Sequence, residues 1–280
     1  MANLVLNDKR LAEAQAGWAA PNAPSPGGQV WAPPSVPGAP VTDGPTTTWR
    51  CGVMTVGGTI TATGVLFTLL LISATAGWFA ADGPTDELGR QTYEFPSLAL
   101  VGVFVGIGCV FGLMFKPQLA KFLAPVYAIA QGFAVGAISK GYETFQDGIV
   151  LQAAGATLGV FLVMLVLYRT RVIKVTERYR RVIVFATLGI MAFYLVSFVI
   201  QLFGANIRFF DEPNLIGIGF SIVVSVLAAL NLTLDFDFIE KGSKMGLSKD
   251  FEWHAAFGTL VTIVWLYLEL LRLLSKLQQR

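Results

Sequence analysis

Ile149–Tyr168 reads IVLQAAGATLGVFLVMLVLY, and Arg169–Arg181 directly after it reads RTRVIKVTERYRR. The first stretch carries no charge over 20 residues. At about 1.5 Å of rise per helical residue it covers the roughly 30 Å hydrocarbon core of a bilayer. The second stretch sets six bases, Arg169, Arg171, Lys174, Arg178, Arg180 and Arg181, against the single acid Glu177. A helix that leaves lipid on the cytoplasmic side ends in this way, because bases are retained on that side.

Further apolar runs of similar length lie on either side. Met54–Ala80, Phe95–Phe115 and Phe122–Ser139 precede the quoted helix, and Val182–Phe203 and Asn214–Leu234 follow it. A seventh run, His254–Leu274, is weaker because Glu269 and Arg272 lie in its last turns. Its 21 residues match one full crossing, although a crossing leaves Lys276 and Arg280 on the outer side, against the charge rule; the alternative is a segment that enters and turns back. The sequence therefore specifies an all-α, polytopic membrane helix bundle with seven transmembrane helices. The bilayer is its first partner.

The remaining loops agree with the orientation. Lys116 and Lys121 follow the second run, and Lys241, Lys244 and Lys249 follow the sixth. In the alternate loops the bases sit among acids: Arg90 with Asp82, Asp86, Glu87 and Glu94; Lys140 with Glu143 and Asp147; Arg208 with Asp211 and Glu212. The N-terminus and the base-rich loops are expected in the cytoplasm, with the bundle in the plasma membrane. Residues 1–49 form a separate Pro-, Gly- and Ala-rich arm with little to bury, expected to be disordered and cytoplasmic; the bundle domain occupies residues 50–280.

Composition excludes several classes. Only 14% of the 280 residues are charged, against about 25% in soluble domains, and the net charge is +2. No basic field is present to attract nucleic acid. With one His and two Cys, no usual zinc site can be assembled and no disulfide framework is expected, so no metal or cofactor is implied. Cys109 reads as a small buried hydrophobe. The chain has no Gly-x-Ser-x-Gly and no phosphate loop ending in Lys-Ser/Thr, so no catalytic residue is assigned and no enzyme is expected.

Candidate functional residues are the ionisable side chains placed where lipid makes them costly. These are Asp235, Asp237 and Glu269. At about 100° per residue, Ser221, Ser225, Asn231 and Asp235 share an arc of about 120° on the sixth helix. Asp237 falls on the opposite side, four residues before Lys241, where a solvated helix-end ion pair is expected. His254, Gly258, Thr262, Glu269, Arg272 and Lys276 share an arc of about 80° on the last helix. Asn231, Thr262, His254 and Arg272 are the candidate pore-lining residues. Glu269 and Arg272, three apart, can neutralise each other; Glu269 lies about 22 Å along its helix from the start at His254 and is not expected to touch Asp235. Gln131, Gln152 and Gln201 are expected to bond between helices. Gly102/Gly106, Gly108/Gly112, Gly132/Gly136 and Gly155/Gly159 are four apart and predict close helix packing.

Several segments together resemble the Bax inhibitor family. They are Ala124–Ser139 (APVYAIAQGFAVGAIS), the end of the sixth helix at Asp235 with Ile239–Gly242 (IEKG), Trp253-His254, and Leu266–Leu274 (LYLELLRLL). A proline-rich arm ahead of a seven-helix body resembles an actinobacterial branch of that family. The resemblance implies a bundle whose last helix is wrapped by the other six. It further implies a pH-sensitive calcium or cation leak in which an acid on the sixth helix, matched here by Asp235 or, in a second register, by Asp237, pairs with an acid on the seventh. That second acid falls near 260–262, where this chain has Leu260, Val261 and Thr262. The family's base inside the second helix is also unmatched, since Lys116 lies beyond that helix. Two functions are therefore expected as alternatives: cation conduction or sensing with calcium as the transported ion, or a non-conducting regulator or scaffold that binds a membrane protein partner.

Overall fold

The computed structural model describes residues 52–85, 91–202 and 214–279. The expected arm at 1–49, the acid-flanked loop bases Arg90 and Arg208, and the side chain of Gln201 lie outside the described residues. Seven helices run through the rest: α1 Val56–Ala80, α2 Ser97–Phe115, α3 Ala120–Phe145, α4 Ile149–Arg169, α5 Glu177–Leu202, α6 Leu215–Met245 and α7 Asp250–Gln278. All seven are long and apolar enough to cross a membrane. Two short elements escaped the sequence reading: Asp82–Thr85 and Gln91–Tyr93 pair as antiparallel strands, β1 and β2, between α1 and α2, and Pro117–Leu119 form a 3-10 turn ahead of α3.

Local chemistry sets the helix ends. Thr55 caps α1 by accepting the Gly58 amide at 2.9 Å, and Asn214 caps α6 by accepting the Gly217 amide at 2.6 Å. Gly148, at φ +78°, precedes α4, and the Glu143 carboxylate accepts the Gly148 and Val150 amides there. Gly246, at φ +70°, ends α6 in the left-handed conformation that glycine tolerates best. α4 ends differently. Arg171 holds the left-handed position at φ +60°, while the Val172 amide reaches back to the Leu167 carbonyl.

Several helices outrun the sequence expectation: α3 runs on to Phe145 past Ser139, α5 starts at Glu177 ahead of Val182, and α6 and α7 are extended as well. The apolar run ends at Leu234 but α6 continues to Met245, and α7 extends from Asp250 to Gln278 rather than from His254 to Leu274. For α6 and α7 the physical reason is that Asp237, Glu240 and Glu252 find protein partners at this end, so the helix needs no apolar surroundings to persist. At about 1.5 Å per residue α6 and α7 both exceed a 30 Å core. α7 is one unbroken helix, long and apolar enough to cross, so the segment does not turn back on itself.

Contacts at the two ends fix the alternating up-and-down order. The Val53–Ser248 bridge and the Thr55–Glu252 bond join the starts of α1 and α7, and Arg180–Asp237 joins the start of α5 to the last turns of α6. At the other end, Gln146 Nε2 donates to the Ser275 carbonyl and Lys140 pairs with Asp82 at 2.8 Å. Gln278 donates to Gln152 there, so Gln152 does bond between helices as expected.

α7 occupies the interior. One face (Phe257, Leu260, Val261, Val264) packs on Leu66 and Leu70 of α1, Leu113 of α2 and Tyr127 of α3, and Cys109 is buried in the same cluster. The opposite face, at Leu266, packs on Met164 and Tyr168 of α4 and Ala228 and Leu232 of α6. The central last helix is thereby borne out. α1 and α3 touch backbone to backbone, since a Cβ on Gly132 would stand 2.4 Å from the Leu70 carbonyl oxygen and one on Gly136 1.9 Å from that of Ala74. Gly102 meets the Ala130 carbonyl of α3 in the same way, whereas Gly106 makes room for the Gln131 side chain. Gly155 and Gly159 do not follow: a Cβ on either would meet nothing within 4 Å, because that face of α4 looks outward.

Candidate functional site: a buried polar column between α5, α6 and α7

Helical spacing alone predicted polar stripes on α6 and α7, and antiparallel packing turns them toward each other. Ser221, Ser225, Asn231 and Asp235 are all buried, as are His254, Thr262, Glu269 and Lys276. Depth along the two helices then separates them into distinct settings.

Asp235 is fully buried (0% exposed), and neither carboxyl oxygen has a hydrogen-bond partner. Thr262 of α7 faces it across the interface, but the Thr262 hydroxyl donates to the Gly258 carbonyl at 3.1 Å. The position where the family's second acid was expected is thus the one opposite Asp235, occupied by a hydroxyl already engaged with its own helix. One turn away on α6, Asn231 Nδ2 donates to Thr187 Oγ1 at 2.9 Å and to the Leu227 carbonyl at 2.8 Å, tying α6 to α5.

Beyond Asn231 and Thr262 a cavity of about 260 Å³ opens between α3, α5, α6 and α7. Its polar lining includes Gln131, Tyr194, Asn231, Thr262, Glu269 and Arg272. Glu269 is 3% exposed. The Tyr194 hydroxyl donates to Glu269 Oε1 at 2.7 Å, and Arg272 Nη1 donates to Tyr194 Oη at 2.9 Å and to Glu269 Oε1 at 3.3 Å. The guanidinium also lies over the Tyr194 ring, 5.3 Å from its centroid. Both expected partners are therefore paired, but through a tyrosine of α5 that the sequence did not point to. Glu269 Oε2 has no hydrogen-bond partner. Because α6 continues past Asp235, the two acids are closer in depth than the sequence suggested: Thr262 and Glu269 are seven residues apart, or about 10 Å of helix. They still do not bond to each other.

The other candidates lie elsewhere. Asp237 bonds Lys241 at 2.8 Å, the expected partner, and also Arg180 at 3.0 Å. It is buried rather than solvated, since α5 brings Arg180 over it. His254 is buried beside the Phe238 and Phe251 rings, outside the cavity. Lys276 is buried too, with Nζ donating to Ser221 Oγ at 3.0 Å and the Gly217 carbonyl at 3.3 Å.

Two acids that sequence reasoning passed over organise the end of the bundle opposite the cavity. Glu240 accepts from Tyr168, Arg171 and Lys244 at 2.5, 2.6 and 2.6 Å, linking α4 to α6. Only its i,i+4 spacing to Lys244 was visible beforehand. Glu252 of α7, 5% exposed, accepts both the amide and the hydroxyl of Thr55 at 2.9 Å. A carboxylate is thereby placed at the start of α1, where the helix dipole favours negative charge. Thr55 just before an apolar run was the available cue.

Fold and site together define a seven-helix membrane protein with an acid-bearing polar column around its central last helix. Its sequence matches the Bax inhibitor 1 like family over residues 4–279, nearly the whole chain, and the protein belongs to that family. The match starts well before the residue-50 boundary from which the resemblance was read. A comparison with curated proteins finds no match.

Proposed function

We propose that the protein passes cations slowly across the plasma membrane, with Asp235 as the acid that meets the ion and calcium as the first candidate. The observation that carries this reading is the Asp235 carboxyl, fully buried and without a geometric hydrogen bond to either oxygen, next to Thr262 at the edge of a cavity that Glu269 and Arg272 also line. Buried acids in membrane spans are costly to keep and mark ion pathways when no structural partner accounts for them. Asp237 is held by two bases and Glu269 by a base and a tyrosine hydroxyl, whereas Asp235 faces the Thr262 hydroxyl and no base among the described residues. The base-rich loops support a cytoplasmic N-terminus and a cytoplasmic Glu240 end of the bundle.

Reconstitution tests this reading. Liposomes holding the purified protein and a calcium dye should show a leak that falls at least about tenfold in Asp235→Asn, the ratio set by about 1.4 kcal/mol. An equal leak from that variant removes Asp235 from the mechanism. One observation favours the second reading, a non-conducting regulator acting through a membrane protein partner: the place opposite Asp235 holds Thr262, so the family's carboxylate pair is not formed. No leak above protein-free liposomes for either cation, calcium or potassium, would select that reading.

A further inference from the structure

The cavity that lies outward of Asp235 has a lining unlike a metal site. Calcium takes six to eight oxygen ligands. Here one carboxylate oxygen, Glu269 Oε2, is unpaired, and no group of three or more His, Cys, Asp or Glu side chains forms a metal cluster among the described residues. Much of the remaining wall is aromatic or aliphatic: Tyr127, Tyr194 and Trp265 with Val261, Val264 and Leu268. A volume of about 260 Å³ is generous for a bare ion and suits a small molecule with a carbon body. Arg272 already shows how a cation rests here, against the Tyr194 ring and Glu269 Oε1.

We propose that this cavity binds a small organic ammonium, its charged head on Glu269 Oε2 and its carbon substituents against the faces of Tyr127, Tyr194 and Trp265. An ammonium carrying alkyl groups combines the two interactions the lining offers, charge pairing with a buried carboxylate and attraction to aromatic rings. A hydrated metal ion can use only the first. An organic anion would meet the unpaired Glu269 oxygen with like charge. The Arg272 guanidinium in the same wall is already held on Glu269 Oε1 and the Tyr194 ring, which leaves Oε2 to the ammonium. The assignment is independent of conduction through Asp235, since it rests on the chemistry of the cavity wall alone.

Tetramethylammonium chloride is the probe, with sodium, potassium and calcium chlorides at matched ionic strength as comparisons. A ligand of the folded state raises the unfolding temperature saturably, so titration of the detergent-solubilised full chain should give a saturable rise with tetramethylammonium. The metal salts should give no rise that Glu269→Gln or Trp265→Leu diminishes. Glu269→Gln should weaken binding at least tenfold, and Trp265→Leu, which keeps an apolar wall but removes the ring, at least threefold. Gly159→Ala on the open face of α4 should leave it unchanged. Should Glu269→Gln fail to fold, Trp265→Leu and isothermal titration of the wild type decide the matter. Absence of a saturable shift, undiminished binding by either cavity variant, or a saturable response to calcium alone would each overturn the proposal.

Discussion

Replacing Gly136 by alanine tests the α1–α3 contact directly, because the structure sets the size of the clash. The new Cβ would stand 1.9 Å from the Ala74 carbonyl oxygen, whereas real Cβ contacts stay above 3.0 Å. The helices must therefore part by at least about 1.1 Å at this point. Neither partner can turn aside, since the obstacle is backbone rather than a flexible side chain. Overpacking costs about 1–3 kcal/mol, and a rigid obstacle belongs at the upper end. Alanine's better helix propensity returns about 1 kcal/mol, leaving a net loss of about 2 kcal/mol. Gly159→Ala supplies the control: the same chemical change meets nothing within 4 Å, so only the propensity gain remains and the sign reverses. Thermal unfolding of the two variants in one detergent should place Gly136→Ala several degrees below wild type and Gly159→Ala at or above it. Equal unfolding temperatures for the two would refute the close contact between α1 and α3.

Other expectations rest on the ionic groups. Asp237→Asn removes the carboxylate shared by Arg180 and Lys241; because both cations keep some exposure, the loss should sit near the low end of the roughly 3–5 kcal/mol for a broken buried pair, read by thermal unfolding. Glu252→Gln removes the charge at the start of α1 and should cost about 0.5–2 kcal/mol; faster hydrogen exchange at Thr55 and Gly58 should report the loosened first turn. Arg171→Gly relieves a left-handed residue worth about 1–2 kcal/mol while giving up an exposed pair to Glu240 worth about 0–1 kcal/mol, so its stability should match or exceed wild type. Arg171→Ala keeps the strain and loses the pair, and should unfold at a lower temperature than both.

Much of the architecture was legible because lipid is a simple solvent. A helix must be apolar for about 20 residues to cross it, so counting uncharged positions found every helix from α1 to α6, and α7 with them despite Glu269 and Arg272. The same count ended α6 too early at Leu234. Hydropathy registers where lipid contact stops, and Asp235, Asp237 and Glu240 sit in protein rather than in lipid. The Asp82–Tyr93 hairpin was hidden because its few residues carry no apolar alternation, and its pairing comes from the chain reversal between α1 and α2.

The sequence by itself determined the apolar helices, the polar arcs on α6 and α7 and the i,i+4 partner of Asp237, because each depends on spacing along one helix. Only the tertiary structure decided which stripes meet. It brought Thr187 to Asn231, Tyr194 to Glu269, Arg180 to Asp237 and Thr262 to Asp235, pairs from different helices that no local period encodes. It also distinguished Gly136, pressed on a neighbouring backbone, from Gly159, which faces outward. The physical reason is common to all of these: a helix sets the direction of a side chain about its own axis, while the rotation and depth of its neighbours are settled by packing the whole bundle around α7.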